Sequence, residues 1–470
     1  MEPHHLSATR ARELFAAREL SPVELLDAVV ARAEEVEPVV NAFTETLLTE
    51  AYDAAREAER RYADKGRAPR ALEGIPLALK EEQPIAGRTL EEGSLLEVGT
   101  VADVTHPVVE RVLAAGAVVH ARTTTPEFSC APFTHSRLWG VTRNPWNLDA
   151  TPGGSSGGAG AALAAGTTTL ATGSDIGGSI RIPASFCGVV GFKPPFGRVP
   201  GLAPFNQDTY CADGPMGRSV ADVALLQDVL AGPHPGDQAS LRPAYRLPDE
   251  LGAVRGLRVA LCVRLGDFPV DPVVEAHTRA AADALRSVGV VVDEVELPWR
   301  RELLVDTAWA HFGAVMGPFI DEVVGEAVDR VMPYTLEFAE GGRTAGSYAA
   351  GLVAEAEIYR PLGELLERYD ALLCPTVGAV SLPAETTGRA TPIPVGDQVC
   401  SWTDVLLTMP FNIVGRVPVL AVPSGVAPNG VPTGVQLVGR TYADGTVFDL
   451  GAALEGALGL TTDDGWWPTP

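Results

Sequence analysis

A lysine ends an apolar run in a chain that makes little use of lysine. The run GIPLALK occupies residues 74–80, and the only other lysines are Lys65 and Lys193, whereas arginine supplies the rest of the Lys and Arg total. Arginine keeps its charge in proteins, but burial can leave a lysine as a neutral amine that accepts a proton. Lys80 is therefore a candidate general base.

Two motifs rich in glycine and serine follow. TPGGSSGG (151–158) contains Ser155, and GSDIGGSIR (173–181) contains Ser179 directly after two glycines. Consecutive glycines leave backbone N–H groups uncovered by side chains, which an oxyanion hole requires. A nucleophilic serine needs a proton acceptor, and neither motif contains histidine. Lys80 and the two serines therefore suggest a Ser-Ser-Lys variant of the Ser–base arrangement.

The first motif has competing interpretations. A phosphate-binding loop would need a lysine after the glycines, and a dinucleotide fingerprint would need GxGxxG after a strand, and neither requirement is met. Residues 153–157 do satisfy GxSxG, the nucleophile elbow, which requires an upstream strand and a histidine late in the chain. His234 lies in a Pro-rich segment, and His277 and His311 lie in helical patterns, so the elbow is disfavoured. A turn that leads into a helix, without chemistry, is the structural alternative.

Alternating strand and helix patterns surround these motifs. Residues 1–70 have apolar positions at helical spacing and a capping box from Ser21 to Glu24, which predicts a helical segment packing on the core. Strands at 75–80 and 117–123 flank a helix at 106–116, which indicates a parallel sheet. The same pattern recurs at 256–297, and residues 300–369 are predicted to be mainly helical. A strand at 371–375 is followed by a loop at 376–400. Two more strands, at 417–423 and 432–440, precede a last helix. We expect 71–470 to form one domain, with a more variable, mainly helical region at about 233–369.

Composition and charge exclude several classes of function. The 470 residues carry 36 Lys and Arg against 60 Asp and Glu, a formal net charge of −24, so nucleic acid and membranes are not expected partners. The six cysteines stand singly, without the spacing of a metal site or a disulfide framework, and predict buried thiols in a reducing compartment. No signal peptide or membrane span is recognisable, so we expect a cytoplasmic protein.

Taken together, the motifs resemble those of the amidase signature family across most of the chain. In chain order they are GIPLALK (74–80), PEF (126–128), TPGGSSGG (151–158), GSDIGGSIRIPASFCGVVGFKP (173–194), GPMGRSVADVALL (214–226) and FNIVGRVPVLAVPSG…GVPTGVQLVGR (411–440). Ser155 and Ser179 are 24 positions apart, the spacing that the family shows. The resemblance implies an α/β fold whose large mixed, mostly parallel central sheet is covered by helices on both faces.

The resemblance also implies catalytic roles. Ser179 is the expected nucleophile, Ser155 the bridging serine and Lys80 the ultimate base of an amide hydrolase that forms a Ser179 acyl-enzyme and releases ammonia or an amine. The bridging serine follows a cis peptide in this family, so the Gly154–Ser155 bond is expected to be cis. The expected oxyanion hole consists of the backbone N–H groups of Ile176, Gly177, Gly178 and Ser179.

Neighbouring residues are expected to support the site. Ser156 is expected either to hydrogen-bond Lys80 or to stabilise the turn. Asp175 and Arg181 flank the oxyanion segment and are expected to form a structural ion pair. Lys193 precedes two prolines, where a surface or loop-anchoring role is the default.

Two positions depart from the family pattern. Glu81 follows the base, where the family usually has Asp, and this exchange is expected to change little. Thr123-Thr124-Thr125 stands where Thr-Asn-Met is usual, in a loop close to the active site in the family. We expect that exchange to alter the pocket shape and to leave the triad intact.

The same residues fit more than one function. The leading hypothesis is a stand-alone amidase acting on a small-molecule amide, without a metal or an organic cofactor. The alternatives are the glutaminase subunit of a tRNA-dependent amidotransferase, an enzyme that passes the acyl group to an amine, and a non-catalytic relative. The acidic charge disfavours the tRNA-dependent alternative, and the intact Lys80, Ser155 and Ser179 disfavour the non-catalytic one. No motif specifies the substrate or the oligomeric state, for which a homodimer is one option.

Overall fold

The computed structural model describes residues 2–460 and 466–470. The α-helices over this range are α1 Ala8–Ala17, α2 Pro22–Val40, α3 Leu48–Ala63, α4 Pro107–Ala114, α5 Gly157–Ala165, α6 Arg181–Cys187, α7 Val220–Leu230, α8 Pro272–Ser287, α9 Arg301–Val315, α10 Gly317–Val324, α11 Pro333–Thr344, α12 Tyr348–Leu366, α13 Pro410–Ile413 and α14 Asp444–Leu458. The strands are β1 Phe43–Thr46, β2 Pro76–Lys80, β3 Val118–Thr123, β4 His135–Ser136, β5 Gly140–Val141, β6 Leu170–Asp175, β7 Val190–Lys193, β8 Ala212–Gly217, β9 Arg258–Leu261, β10 Val291–Glu294, β11 Ala371–Pro375, β12 Ile393–Val395, β13 Gln398–Cys400, β14 Val419–Val426 and β15 Pro432–Gly439.

Within the described residues, eleven strands form one mixed sheet in the order β1-β3-β2-β6-β8-β7-β14-β15-β11-β9-β10. The strands β3, β2 and β6 run parallel, as do β11, β9 and β10, and the strands between these two groups pair antiparallel. Both parallel groups contain the strand–helix–strand patterns of the sequence, whereas β14 and β15 are joined by a short turn that forces antiparallel pairing. The predicted large mixed α/β sheet is confirmed.

Helices cover both faces of this sheet. On one face, Leu420 of β14 packs against Gly451 of α14, which has no side chain to block it. The next residue of β14, Ala421, pairs with Gln436 of β15. The side chain of Gln436 accepts a hydrogen bond from Arg181 of α6. Successive strand residues point to opposite faces, so α6 and α14 lie on opposite sides of the sheet. The strands β2 and β15 are buried along their whole length, as expected for strands covered on both faces.

The N-terminal segment differs from the prediction in one element. The capping box at the start of α2 is confirmed, because Ser21 N donates to Glu24 at 2.8 Å and Glu24 N donates to Ser21 Oγ at 3.1 Å. However, β1 interrupts residues 1–70, for which only helices were predicted. It begins with Phe43 and Thr44, residue types that favour strands, and pairs antiparallel with β3 at the sheet edge. The division of the chain at residue 70 stays a prediction.

Two further sequence predictions concern loops and thiols. The segment 376–400, predicted as a loop, contains the small antiparallel pair β12–β13. The six cysteines are free thiols, and Cys130, Cys187, Cys262 and Cys374 are buried. Among the described residues, no single helix combines the length and apolarity that a membrane crossing needs, and α9 with α10 meets those criteria only as a pair bent by 52°.

The strand order brings the candidate residues to one edge of the sheet. The strands β2 and β6 are parallel neighbours, with Leu77 opposite Leu170 and Ala78 opposite Ala171. Parallel neighbours end at the same edge, so Lys80 at the end of β2 lies close to the end of β6, although these residues are far apart in sequence. This edge is therefore where the structure can assemble a site.

A buried ion pair ties the end of β6 to α6. The Asp175 carboxylate lies 2.9 Å from Arg181 Nε and Nη2, and both side chains are fully buried. Arg181 also donates to Gln436 Oε1 at 2.8 Å and to Asn412 Oδ1 at 2.7 Å. Burial opposes ionisation of Asp175, but the Arg181 guanidinium outweighs it and lowers the pKa of this carboxyl below its ordinary value. The pair joins three separate parts of the chain.

Arg181→Met should destabilise the fold strongly. The variant leaves the Asp175 carboxylate buried without its counter-ion, and breaking a buried pair in this way costs about 3–5 kcal/mol. Urea unfolding followed by circular dichroism measures the loss. Arg258→Met is the matched control, because Arg258 pairs with Asp293 at an exposed site, where we expect little change. Equal losses in both variants would contradict a special role for the buried pair.

Candidate active site

Lys80 is completely buried at the end of β2. Its Nζ contacts three oxygens, which are Ser155 Oγ at 2.8 Å, Ser174 Oγ at 2.8 Å and Glu82 Oε1 at 2.9 Å. Ser155 is the serine expected beside the base, whereas Ser174 and Glu82 were not predicted. The structure thus brings Lys80 and Ser155 together and adds two partners to the lysine.

Ser155 lies in the turn before α5. The Gly154–Ser155 peptide bond is cis, as expected from the resemblance. A side chain at Gly154 would collide with the backbone, since a Cβ there would lie 2.6 Å from Phe133 N and 2.7 Å from Ala131 O. The close backbone approach that presents Ser155 to Lys80 therefore requires glycine.

Ser156 holds the two serine motifs against each other. Its Oγ accepts a hydrogen bond from Ser174 N at 3.3 Å and donates to Ser174 O at 3.4 Å, and its backbone N donates to Ser179 O at 3.1 Å. In the described part of the chain it makes no hydrogen bond with Lys80. Of the two alternatives for Ser156, the geometry favours the turn-stabilising one, and Ser174 provides the second serine contact of the lysine.

The segment 176–179 connects β6 to α6 and ends in Ser179. Among the described residues, the backbone N–H groups of Ile176, Gly177, Gly178 and Ser179 donate no hydrogen bond to another group. The hydroxyl of Ser179 likewise has no hydrogen-bond partner there. Ile180 N and Arg181 N donate to the Asp175 carboxylate at 3.2 Å and 3.4 Å, which folds the segment back on itself. Four unpaired N–H donors beside a serine are the arrangement an oxyanion hole needs.

Gly178 is required by the path of this segment. Its φ is +129°, and a Cβ at this position would lie 2.1 Å from Thr408 Oγ1. Thr408 Oγ1 in turn donates to Gly177 O at 2.7 Å. The threonine therefore fixes the orientation of the segment 176–179, and only glycine fits against the threonine at position 178.

A cavity of about 370 Å³ lies against Ser155 and Ser174. Apolar side chains form much of its lining, among them Leu90, Val104, Phe128, Phe205, Val315 and Phe319. A smaller cavity of about 50 Å³ lies beside Gly177 and is lined by the aromatic residues Trp309, Phe312, Phe338 and Trp402. Both cavities include Ser129 and Ile176 in their linings. The larger volume suits a small organic molecule.

The charged side chains of the larger cavity are acidic. Glu82, Glu92 and Asp213 line it together with His106, and among the described lining residues there is no Lys or Arg. Burial and the neighbouring charges of Glu81 and Glu82 raise the pKa of Glu92 to about 8. Burial also raises the pKa of Asp213. An anionic group of a ligand would therefore find no cation on this lining.

Glu81, the residue that departs from the family pattern, shapes the cavity wall. Its carboxylate accepts hydrogen bonds from Glu91 N at 2.7 Å and Glu92 N at 3.1 Å. Burial raises the pKa of Glu81 to about 7. The side chain thus anchors the loop that carries Glu92 and does not contact Ser155.

Two sequence interpretations fail on these contacts. The nucleophile elbow has no base, because in the described part of the chain each histidine considered for it pairs elsewhere: His311 with Asp208 at 2.7 Å, His277 with Thr433 at 2.8 Å and His234 with Glu110 at 3.2 Å.

The surface role of Lys193 is also wrong, although loop anchoring is correct. Lys193 is fully buried at the end of β7, its Nζ donates to Pro194 O and Gly415 O, and burial lowers its pKa to about 7.

The assembled groups supply the parts that acyl transfer needs. Ser155 and Ile176 line one cavity, the buried Lys80 contacts Ser155, and Ser179 ends the segment of unpaired N–H donors that begins at Ile176. Within residues 2–460 and 466–470, no group of three His, Cys, Asp or Glu side chains could hold a metal ion.

The family model that matches this chain is described as Amidase and covers residues 24–448. A glutamyl-tRNA(Gln) amidotransferase subunit of Chloroflexus aurantiacus is 32% identical over 97% of each chain. The 6-aminohexanoate-cyclic-dimer hydrolase of Pseudomonas sp. (strain NK87) is 34% identical, with 96% of this chain and 94% of that protein covered. Among solved structures, a bacterial aryl acylamidase of the amidase signature family has a TM-score of 0.88 at 27% identity, with 96% of each chain covered.

Gly178→Ala should lower the rate of amide cleavage while the protein stays folded. The new methyl group collides with Thr408 and turns the N–H groups of 176–179 away from the substrate, and losing one such donor costs about 10²–10³ in kcat. The measurement is kcat together with the thermal unfolding midpoint. Gly252→Ala is the control, because Gly252 also has a positive φ, of +100°, but no atom within 4 Å of its Cβ position. Equal kcat values for the two variants would contradict the role of the segment.

Proposed function

Because the chain belongs to the amidase signature family and is an amide-cleaving enzyme, we propose that it hydrolyses a small-molecule carboxamide through a Ser179 acyl-enzyme. Ser155 and Lys80 relay protons in this reaction. The observation that carries the proposal is the 2.8 Å hydrogen bond between Lys80 Nζ and Ser155 Oγ beside the cavity. A buried amine in contact with a serine is the base that a chain of two serines requires.

Acylation begins by removing the proton of Ser179. Neutral Lys80 takes the proton of Ser155 Oγ while Ser155 takes the proton of Ser179 Oγ, and Ser179 Oγ attacks the carbonyl carbon of the amide. The electron pair of the carbonyl double bond moves onto the oxygen. The N–H groups of residues 176–179 stabilise this negative charge, which is greater in the transition state than in the bound substrate.

The leaving amine receives its proton along the same path in reverse. Ser155 donates its proton to the amide nitrogen, the Lys80 ammonium restores the proton of Ser155, and the C–N bond breaks to release ammonia or an amine. Water then attacks the Ser179 ester by the same proton relay and releases the carboxylic acid. The proton that leaves with the amine is replaced by one from the attacking water, which the relay returns to Ser179, so the enzyme is regenerated.

The contacts between the two serine motifs support this relay. The hydrogen bond from Ser156 N to Ser179 O, at 3.1 Å, holds the two segments side by side. No hydrogen bond joins the hydroxyls of Ser155 and Ser179 in the described residues. Catalytic hydrogen bonds of this kind commonly tighten only when substrate binds. Rotation of the Ser179 side chain towards Ser155 would complete the relay.

A second candidate is the glutaminase subunit of a tRNA-dependent amidotransferase, which the similarity to the Chloroflexus protein favours. Glutamine carries a carboxylate, and burying a carboxylate without a cationic or hydrogen-bonding partner is costly. The described lining residues of the cavity include no Lys or Arg to bind it. The lining therefore favours a neutral or cationic amide. Transfer of the acyl group to an amine in place of water uses the same residues and stays an alternative.

The triad is tested by three variants on a panel of aliphatic, aryl and peptide amides plus glutamine. Ser179→Ala should abolish acyl-enzyme formation, and Ser155→Ala should retain a slow residual rate. Lys80→Arg should lose about 10²–10⁴ in rate, since arginine cannot act as the neutral base. Released ammonia or amine and the mass of the acyl-enzyme are measured. An active Ser179→Ala protein, or a Lys80→Arg protein that keeps most of its activity, would refute the assignment.

Charge selection is tested with hexanamide, 6-aminohexanamide and adipamic acid, which differ mainly in the charge of one end. Adipamic acid should have a kcat/KM at least about tenfold below that of hexanamide, because its carboxylate lacks a cationic partner in the cavity. The difference should widen as pH rises through 8, where Glu92 with its raised pKa becomes ionised. Glu92→Gln should remove the widening. Equal kcat/KM values for adipamic acid and hexanamide would contradict the charge selection.

A further inference from the structure

A lysine that acts as a base needs its lone pair aimed at the proton it accepts. In Ser–His–Asp sites a third group orients the base, and the same requirement applies to any nucleophile–base pair. A neutral amine has two N–H bonds and one lone pair, and its Cε–Nζ bond rotates freely unless the N–H bonds are held. The orientation of Lys80 therefore depends on what its two N–H bonds contact.

Two acceptors beside Lys80 meet this requirement. Ser174 Oγ and Glu82 Oε1 lie 2.8 Å and 2.9 Å from Nζ, and the remaining direction points to Ser155 Oγ at 2.8 Å. As an ammonium, Lys80 donates to all three oxygens. As a neutral amine that donates to Ser174 and Glu82, it has its lone pair directed at Ser155.

We propose that Glu82 is a positioning residue of the amide-cleaving reaction: together with Ser174 it accepts the N–H bonds of Lys80 and directs the lysine lone pair at Ser155 Oγ. The inference rests on the proposed function, because it assigns a role relative to the Ser155–Lys80 relay. It extends the catalytic set by a carboxylate that lies only two residues after the base.

Glu82 is itself held in place for this role. Ser129 Oγ donates to Glu82 Oε2, the oxygen that does not face the lysine. One carboxylate oxygen is thus fixed by Ser129, and the other is directed at Lys80. The side chain of Glu82 is 19% exposed and belongs to the cavity lining, so substrate that fills the cavity removes the remaining water from it.

The Lys80 ammonium keeps Glu82 ionised. Burial opposes ionisation of Glu82, but the Lys80 ammonium outweighs it and lowers the pKa of this carboxyl below its ordinary value. An ionised carboxylate is a stronger hydrogen-bond acceptor than a neutral group, so Glu82 is well suited to hold an N–H bond of the lysine.

Other titratable groups act on this pair as well. Those that face Lys80 or Glu82 are Glu92 on the loop after β2, Asp213 on β8 and Cys211 before β8. Behind them, Glu81 accepts from Glu92 N, and His106 at the start of α4 lies 3.4 Å from Asp213 Oδ2. Arg122 on β3 lies 3.6 Å from Glu81 Oε1. None of these groups contacts Lys80 Nζ in the described structure, so only Glu82 combines charge with direct orientation.

Two substitutions at Glu82 separate charge from orientation. Glu82→Gln keeps an oxygen acceptor and removes the charge, so it should retain most of the wild-type kcat. Glu82→Leu removes the acceptor as well, so kcat should fall at least about tenfold while KM changes little. Hydrolysis of 4-nitroacetanilide, or of the best amide of the panel, is the assay. A purely structural role would lower stability without separating kcat from KM and without rescue by the glutamine.

Glu73→Leu is the matched control. Glu73 is a buried carboxylate paired with Arg70 at 2.7 Å just before β2, and its side chain lies outside the cavity lining. Burial opposes ionisation of Glu73, but its arginine partner outweighs burial and lowers its pKa, as Lys80 does for Glu82. The variant should leave kcat unchanged. A loss of kcat equal to that of Glu82→Leu would overturn the inference.

A second measurement does not depend on catalysis. The chain contains only Lys65, Lys80 and Lys193, so lysine labelled with ¹³C at Cε gives one signal for each, and the Lys80→Arg variant identifies the signal of Lys80. In Glu82→Leu this signal should move or broaden, because the amine loses one of the two acceptors that hold its N–H bonds, whereas in Glu73→Leu it should stay at the wild-type position. A Lys80 signal that is the same in Glu82→Leu as in the wild type, or unchanged kcat in Glu82→Leu, would overturn the inference. If Ser179→Ala proves as active as the wild type, the proposed function itself is wrong, whatever the Glu82 variants do.

Discussion

The complete burial of one lysine is the constraint on which the rest of this structure depends. A buried Nζ must have oxygen partners, because an unpaired cation or amine in the interior is costly. Lys80 obtains them from the turn before α5, from the end of β6 and from the loop after β2. Three elements must therefore meet at one edge of the sheet, and the parallel pairing of β2 and β6 is what places them there.

The strand β6 separates two polar systems. Ser174 contacts the lysine, whereas the next residue, Asp175, contacts Arg181 and Asn412. Adjacent strand residues point to opposite faces, so one strand end carries the Lys80 contact on one side and an ion-pair clamp on the other. The clamp holds the segment 176–179, whose N–H groups are unpaired among the described residues. Neither system interrupts the other, although they occupy successive residues.

Much of this arrangement could be predicted from the sequence, because it depends on local patterns. The strand–helix–strand spacing around residues 75–123 and 256–297 predicts the two parallel groups, and glycine and serine motifs indicate the turns. What could not be predicted depends on pairing between distant segments. Ser174 contacts Lys80 only because β2 neighbours β6, and Glu82 reaches Nζ only because the chain turns back after Lys80. Lys193 looked like a surface residue because its neighbours are prolines, and its burial follows from the position of β7 inside the sheet. The strand β1 was too short to give a periodic signal.

The clamp around Arg181 has a consequence for how the protein becomes active during folding. Asn412 and Gln436, which hold this arginine, lie more than two hundred positions beyond it in the sequence. Contacts of such long sequence separation form late, since closing large loops costs chain entropy before any contact forms. A chain emerging from the ribosome therefore carries Lys80, Ser155 and Ser179 long before it can hold the segment 176–179 in its working shape. In the proposed mechanism, activity therefore begins only when the sheet is complete, and partly folded intermediates do not expose a competent Ser179.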